Sequence, residues 1–173
     1  MYEFFVDSPF RNRTFLWQSL VTQHIEALYE RREIDPDKFL TFYIEASQSA
    51  LATHVEEKWQ ILVESVVSAT LPENDDDFHS MQYLRYVCEL EPESVLLLER
   101  LTRGNYDSRT DESLSEGMDF DHPDAIQIAF EALLSRGLVL ATGGDLYTPR
   151  QSQRGRQFLS WLRSGRQAMA EVR

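Results

Sequence analysis

The sequence predicts a mainly α-helical protein: an N-terminal helical layer or bundle, followed by a helix, a two-stranded β-hairpin and a closing helix. Apolar residues recur at three- and four-residue steps through most of roughly the first hundred positions, which is the helical period. Only two brief β-prone runs stand out, Leu138-Val139-Leu140 and Leu146-Tyr147-Thr148, and they flank the turn-forming Thr142-Gly143-Gly144-Asp145. No sheet beyond this hairpin is expected, except one short third strand at most.

The elements follow in order. From about Arg13 to Arg32, Trp17, Leu20, Val21, Ile25 and Leu28 form one apolar stripe. Asp35-Pro36 supplies an N-cap followed by proline at the first helical position. Phe39, Leu40, Tyr43, Ile44 and Leu51 continue helical spacing, and so do Val55, Trp59, Leu62, Val63, Val66 and Val67. No glycine or proline stands between Pro36 and Pro72, so residues 36–71 read either as one helix of about 35 residues or as two. A break or strong bend near Ser47–Thr53 is favoured, because Ser and Thr compete with the backbone for hydrogen bonds and such long helices are uncommon in compact domains.

The acids of Pro72–Ser80 are placed to cap a helix whose inner face is Phe78, Met81, Leu84 and Val87. Pro92 opens another helix, with Val95, Leu98 and Leu101 inward. Residues 104–124 are acidic, carry two glycines and read as a long exposed loop. Pro123 starts a helix with an inward stripe of Ile126, Ala129, Phe130, Leu133 and Leu134, which Gly137 ends in the left-handed conformation. After the hairpin Pro149 limits the second strand, and Phe158, Leu159, Trp161 and Leu162 form the apolar side of the last helix. The expected organisation is an acidic helical lobe (1–103), an acidic loop (104–123) and a closing module (124–173), packed as one compact unit. Trp59, Leu62, Val66, Leu98, Leu133 and Phe158 are the expected core residues joining the two halves.

Charge is unevenly divided. The chain carries −12 overall, while residues 124–173 hold seven arginines against four acids, a balance of +3, which leaves −15 for residues 1–123. A field of that sign repels phosphate backbones and anionic membranes and suits a neutral or basic protein partner. No apolar run approaches the ~20 residues of a membrane span, and the first residues have neither a basic region nor a small-residue cleavage site. Cys88 is the sole cysteine, so no internal disulfide is possible and a reducing, cytoplasmic setting is expected.

Ser135-Arg136-Gly137-Leu138, then Tyr147-Thr148-Pro149, then Arg154-Gly155-Arg156-Gln157-Phe158-Leu159 stand in the order helix end, strand, turn, strand, basic turn, helix. Over residues 124–163 this resembles the winged-helix superfamily, which implies a small helix-and-hairpin module that contacts another macromolecule. Glu91-Pro92-Glu93-Ser94-Val95-Leu96-Leu97-Leu98, a proline-opened leucine helix before such an end, loosely resembles small bacterial proteins and implies a bacterial or phage origin.

The sequence departs from winged-helix DNA readers where they carry their polar and basic side chains. Here the helix before the wing presents Asp124, Gln127, Ile128, Glu131 and Ser135 outward, with no lysine or arginine before Arg136. That face suits packing against protein, so Ile128 is expected to be partly covered, by this chain or a second copy. The protein-binding candidates are Asp124, Gln127, Ile128 and Glu131, with Asp75, Asp76 and Asp77 on the acidic lobe. For nucleic acid the candidates are Arg150, Arg154, Arg156 and Arg163, with Arg166 completing the series; pairing with the chain's own acids is the competing role.

Catalytic readings find little support. His24, His54, His79 and His122 show no metal-ligand spacing, and His54 with Glu57 is one commonplace pair. Asp75–Asp77 lack the glycine and alternating oxygens of a calcium loop. Gly143-Gly144 is a turn with no lysine or serine at P-loop spacing. Cys88 reads as a small buried hydrophobe whose acidic neighbours raise its thiol pKa. The expected function is therefore a non-enzymatic adaptor or regulatory subunit, without cofactor or metal, that binds another protein or itself. A DNA-binding regulator is the alternative.

Overall fold

The computed structural model describes residues 9–30, 34–103, 124–142 and 148–171. Among them are seven α-helices and one two-stranded antiparallel sheet, the helical architecture with a small hairpin that the periodicity predicts. The chain groups into two compact units, Met1–Glu89 with Trp161–Arg173, and Leu90–Ser160.

The first unit contains α1 (Pro9–Glu30), α2 (Pro36–Ala52), α3 (Glu56–Thr70), α4 (Asp77–Glu89) and the latter part of α7 (Gln153–Glu171). Helix α1 buries Trp17, Val21, His24, Ile25 and Leu28. The Trp17 indole stacks on Tyr43 of α2 at 6.1 Å, and its N–H donates to Ser47 Oγ at 2.9 Å. Asp35 caps α2 as expected, its Oδ1 accepting from the backbone N–H groups of Asp37 (2.9 Å) and Lys38 (3.2 Å).

Residues 36–71 form two helices, and the break lies at Thr53–Val55, at the end of the expected window. Ser47 does not break α2. Its hydroxyl returns a 2.6 Å hydrogen bond to the Tyr43 carbonyl, so the competition is resolved inside the helix. At the break Thr53 is extended and its Oγ1 accepts from the Val55 N–H at 3.2 Å. The Trp59 indole then ties the two helices by donating to the Ala50 carbonyl at 2.8 Å.

Helix α3 is buried on every side from Ile61 to Thr70, so its polar side chains need partners. Ser65 and Thr70 turn their hydroxyls onto α3's own carbonyls, of Leu62 (2.7 Å) and Val67 (2.8 Å). Lys58 donates to the Val87 carbonyl in the last turn of α4, where a cation also meets the helix dipole. Glu64 receives Arg166 of α7 through Nε (3.1 Å) and Nη2 (2.9 Å), a bidentate pair.

The crossing of α3 and α7 is unusually close. Ser68 Oγ donates to the Trp161 carbonyl (2.7 Å) and accepts from the Gly165 N–H (2.9 Å). A Cβ placed on Gly165 would lie 2.2 Å from the Glu64 carbonyl oxygen, so only glycine fits. Asn74 reinforces the contact, its Nδ2 donating to the Ser68 carbonyl (2.7 Å) and to Ser164 Oγ (3.0 Å).

The second unit holds α5 (Pro92–Arg103), α6 (Ala125–Ser135), β1 (Val139–Thr142), β2 (Thr148–Gln151) and the start of α7. Val95, Leu98 and Leu101 of α5 are buried as predicted, and α5 packs on α6 and β2. Gly137 ends α6 at φ +67°, with Leu138 N–H bonding back to the Leu133 carbonyl at 3.0 Å.

The strands pair from Val139↔Gln151 to Thr142↔Thr148. The second strand runs later than expected: Pro149 lies inside it, opposite Ala141, rather than limiting it. Each strand of a two-stranded ribbon has an unpaired edge, where a missing N–H costs no ladder bond. The expected turn residues Gly143, Gly144 and Asp145, the strand residues Leu146 and Tyr147, and the acidic loop 104–123 lie outside the described residues.

Phe158, Leu159, Trp161 and Leu162 are all buried. Of the six expected core residues, Leu62 and Val66 are core in the first unit, and Leu98, Leu133 and Phe158 in the second. Trp59 is only half-buried, because its indole N–H reaches across the α2–α3 break instead of inward.

Candidate functional site

Helix α6 offers the most distinctive surface of the second unit. Ala129 and Leu133 are buried on one side, with Ile126 and Phe130 half-buried beside them. Leu134, predicted inward, is 38% exposed; an eleven-residue helix packed along the Ala129–Leu133 line buries a narrower stripe than its apolar composition suggests. Asp124, Gln127, Ile128, Glu131 and Ser135 all face outward, as the periodicity requires.

Ile128 is 63% exposed. The expectation that this chain would cover it fails among the described residues, since the packing of α5 uses the opposite side of α6. Gln127 Nε2 donates to Glu131 Oε1 at 2.9 Å, one turn along, which fixes a polar rail beside the isoleucine. No lysine or arginine lies within α6. Arg136 just beyond it folds back, its Nη1 donating to the Ala132 carbonyl at 2.9 Å, so this cation closes the helix end. Leu140, half exposed on β1, adds apolar surface to the same unit.

The arginines separate into different environments. Arg166 pairs with Glu64, fulfilling the intramolecular role. The others do not: among the described residues no carboxylate forms an ion pair with Arg150, Arg154, Arg156 or Arg163. Arg150 is exposed on β2, in register with Leu140. Arg154 and Arg156 sit in the first turn of α7, which contains no acid. Their guanidinium groups reach only carbonyls, Arg154 Nη1 that of Arg136 (3.5 Å) and Arg156 Nη1 that of Gln151 (3.2 Å).

Ser152 builds this turn. Its Oγ donates to the Gly137 carbonyl (2.6 Å) and accepts from the Gly155 N–H (2.9 Å), capping α7 while pinning it to the hairpin's start. Gly155 is again obligatory, because a Cβ there would lie 2.1 Å from the Leu138 carbonyl oxygen. Arg163 falls in the part of α7 that belongs to the first unit.

On the first unit Asp75, Asp76 and Asp77 are exposed at the start of α4, but two carboxylates are engaged. Asp76 accepts from the His79 backbone N–H (3.0 Å) and meets His79 Nδ1 (2.6 Å), bonds that hold its carboxyl below the ordinary range. Asp77 pairs with Lys38 at 2.7 Å, and that hydrogen bond raises the lysine pKa. Lys38 Nζ also donates to the Asp75 carbonyl at 3.4 Å. These acids join α2 to α4 and cap α4, so part of the cluster's sequence signal is structural.

Burial, with Glu45 and Glu89 adding to it, pushes the Cys88 thiol up to about 11, so it stays protonated near neutrality. Burial is the larger cause, ahead of the acidic neighbours the sequence suggested. His54 and Glu57 are both exposed, and the described residues contain no group of three or more metal-ligating side chains. His122 lies outside the described residues.

One surface is not foreshadowed by the helical periodicity. Phe78, predicted inward, is 74% exposed, and α4 instead buries Ser80, Tyr83, Leu84 and Val87. The two stripes share Leu84 and Val87 and differ by a rotation of the helix. Tyr83 decides it, its ring packing against Trp161 of α7 at 5.5 Å with the planes tilted by 55°. No protein-family model, no curated protein and no solved structure matches this chain.

Proposed function

We propose that the protein is a non-enzymatic adaptor or regulatory subunit, and that its second unit is a winged-helix-like module docking on another protein through α6. One observation carries this reading: Ile128 stands 63% exposed between Asp124, Gln127 and Glu131 on a helix with no cation. Two acids at a phosphate groove would cost affinity. Against protein, burying such an isoleucine contributes about 1.5–3 kcal/mol, with the polar rail serving as a rim. A reducing, cytoplasmic setting fits the single, half-buried cysteine, and no helix among the described residues is long and apolar enough to cross a membrane.

The test is affinity capture from the native cell with wild type and Ile128→Glu in parallel. The expected result is one stoichiometric protein partner, lost from the variant while its thermal stability is unchanged. A partner retained by Ile128→Glu removes α6 from the interface.

A second reading has an observation of its own. Arg154 and Arg156 occupy the positive end of the α7 dipole, where cations are unfavourable and a phosphate would relieve them. With Arg150 they form a basic turn suited to a nucleic-acid backbone. Gel-shift binding whose affinity falls steeply with salt, and whose salt slope drops on Arg154→Ala, would move this reading to the front.

A further inference from the structure

We propose that the outer face of α4 is a second docking surface, and that it takes a basic amphipathic helix or strand from a partner protein. Phe78, Met81, Gln82, Arg85, Tyr86 and Glu89 line a shallow groove of about 290 Å³ along this face. These residues repeat at three- and four-residue steps, so they form one continuous stripe running the length of α4. Phe78 is the most exposed large hydrophobic side chain among the described residues.

Phe78 is also held in its exposed position. Its ring meets His79 edge-on at 5.7 Å (80° between planes), and His79 is itself fixed by Asp76 at 2.6 Å. An aromatic anchor braced before binding loses little conformational freedom on binding.

Charge defines the occupant. From Glu73 to Glu89 the chain carries Glu73, Asp75, Asp76, Asp77 and Glu89 against Arg85 alone, a balance of −4. Lys38, paired with Asp77, offsets one of these, and Arg85 is drawn to Glu45 at 3.4 Å. An apolar stripe of Phe78, Met81 and Tyr86 bordered by excess negative charge is complementary to an apolar stripe bordered by lysine or arginine. A second copy of this chain would bring the same acidic border to itself, and an anionic membrane would be repelled.

This extends the docking reading to the first unit without involving α6, so the two fail separately. The probe is a short fluorescein-labelled amphipathic peptide with leucine on one helical face and lysine on both flanks, titrated against the full chain by fluorescence anisotropy. A control peptide has the same composition with its leucines dispersed. Binding of the patterned peptide is expected to weaken about tenfold or more with Phe78→Ala, as for a buried interface anchor. Glu73→Gln with Asp75→Asn should weaken it less and flatten its salt dependence, whereas Ile128→Glu should leave it unchanged.

Circular dichroism should show all variants folded, because Phe78, Glu73 and Asp75 are exposed; Met81→Glu provides an independent block of the groove. The proposal is overturned if the dispersed peptide binds as tightly as the patterned one, if Phe78→Ala and Met81→Glu bind like wild type, or if neither peptide binds. It is also overturned if the wild-type chain self-associates and Phe78→Ala abolishes that association, which would assign the face to a second copy.

Discussion

The close approach of Gly165 to α3 makes a quantitative prediction. In Gly165→Ala the added methyl would lie 2.2 Å from the Glu64 carbonyl oxygen, 2.3 Å from Ser68 Oγ and 2.8 Å from the Ser68 nitrogen. Two of these atoms are backbone, so no rotamer change relieves the contact, and the helices must separate by about an ångström to reach ordinary packing distance. Overpacking of this kind costs about 1–3 kcal/mol. Separation also stretches the Ser68–Trp161, Gly165–Ser68 and Asn74–Ser164 hydrogen bonds, each contributing about 1 kcal/mol.

Against this, alanine is the better helix former by about 1 kcal/mol. The net expectation is a loss of about 2–4 kcal/mol, or a melting temperature lower by about 5–12 °C for a chain of this size. Urea unfolding followed by tryptophan fluorescence measures it, since Trp161 sits in the affected turn. Ser160→Ala, on the exposed side of the same helix, is the reference substitution. A Gly165→Ala protein as stable as wild type, or stabilised by the propensity gain, would refute the close crossing.

Other expectations follow from the same geometry. Arg166→Met leaves the Glu64 carboxylate buried without its bidentate partner and should cost about 2 kcal/mol, below the range for a fully buried pair because Arg166 is half exposed; pairing it with Glu64→Gln should recover part of the loss in chemical denaturation. The Asp76 carboxyl titrates below its ordinary value of 3.8, so the α4 cap is fully formed above that pH and is lost as pH falls through the lower, folded-state value. Proton NMR of the Asp76 side chain should show that depressed midpoint, and Asp76→Asn should abolish the acid-side fraying of α4. With its thiol pKa raised from 9.0 to about 11, Cys88 should react with iodoacetamide roughly 100-fold more slowly than a free thiol near neutral pH. An unfolding agent should remove that protection.

Much of the fold is visible in local chemistry. Asp35-Pro36 announces α2 because cap and first-turn proline act within a few residues, and Gly137 announces the end of α6 because the left-handed conformation needs glycine. The inner face of α7 is equally plain, since Phe158, Leu159, Trp161 and Leu162 allow one helical stripe only. What the sequence hides depends on neighbours. Helix α4 has two stripes of similar quality, and contact with Trp161 chooses the one that exposes Phe78. Gly155 and Gly165 look like weak points in a helix until the carbonyls of Leu138 and Glu64 are seen beside them. The outward face of α6 is legible from periodicity, while Leu134's exposure follows from how narrowly that helix packs.

The first unit is interrupted in sequence by the second, and that has a consequence for synthesis. Helices α1 to α4 emerge before residues 90–160, yet Ser68, Glu64 and Tyr83 each have a partner in the later Trp161, Gly165 or Arg166. At ~5–20 residues per second, translating the intervening stretch takes several seconds. For that interval α3, the most thoroughly buried of the described helices, lacks a wall. A ribosome stalled near residue 160 would therefore display an open α3 to chaperones and to other nascent chains.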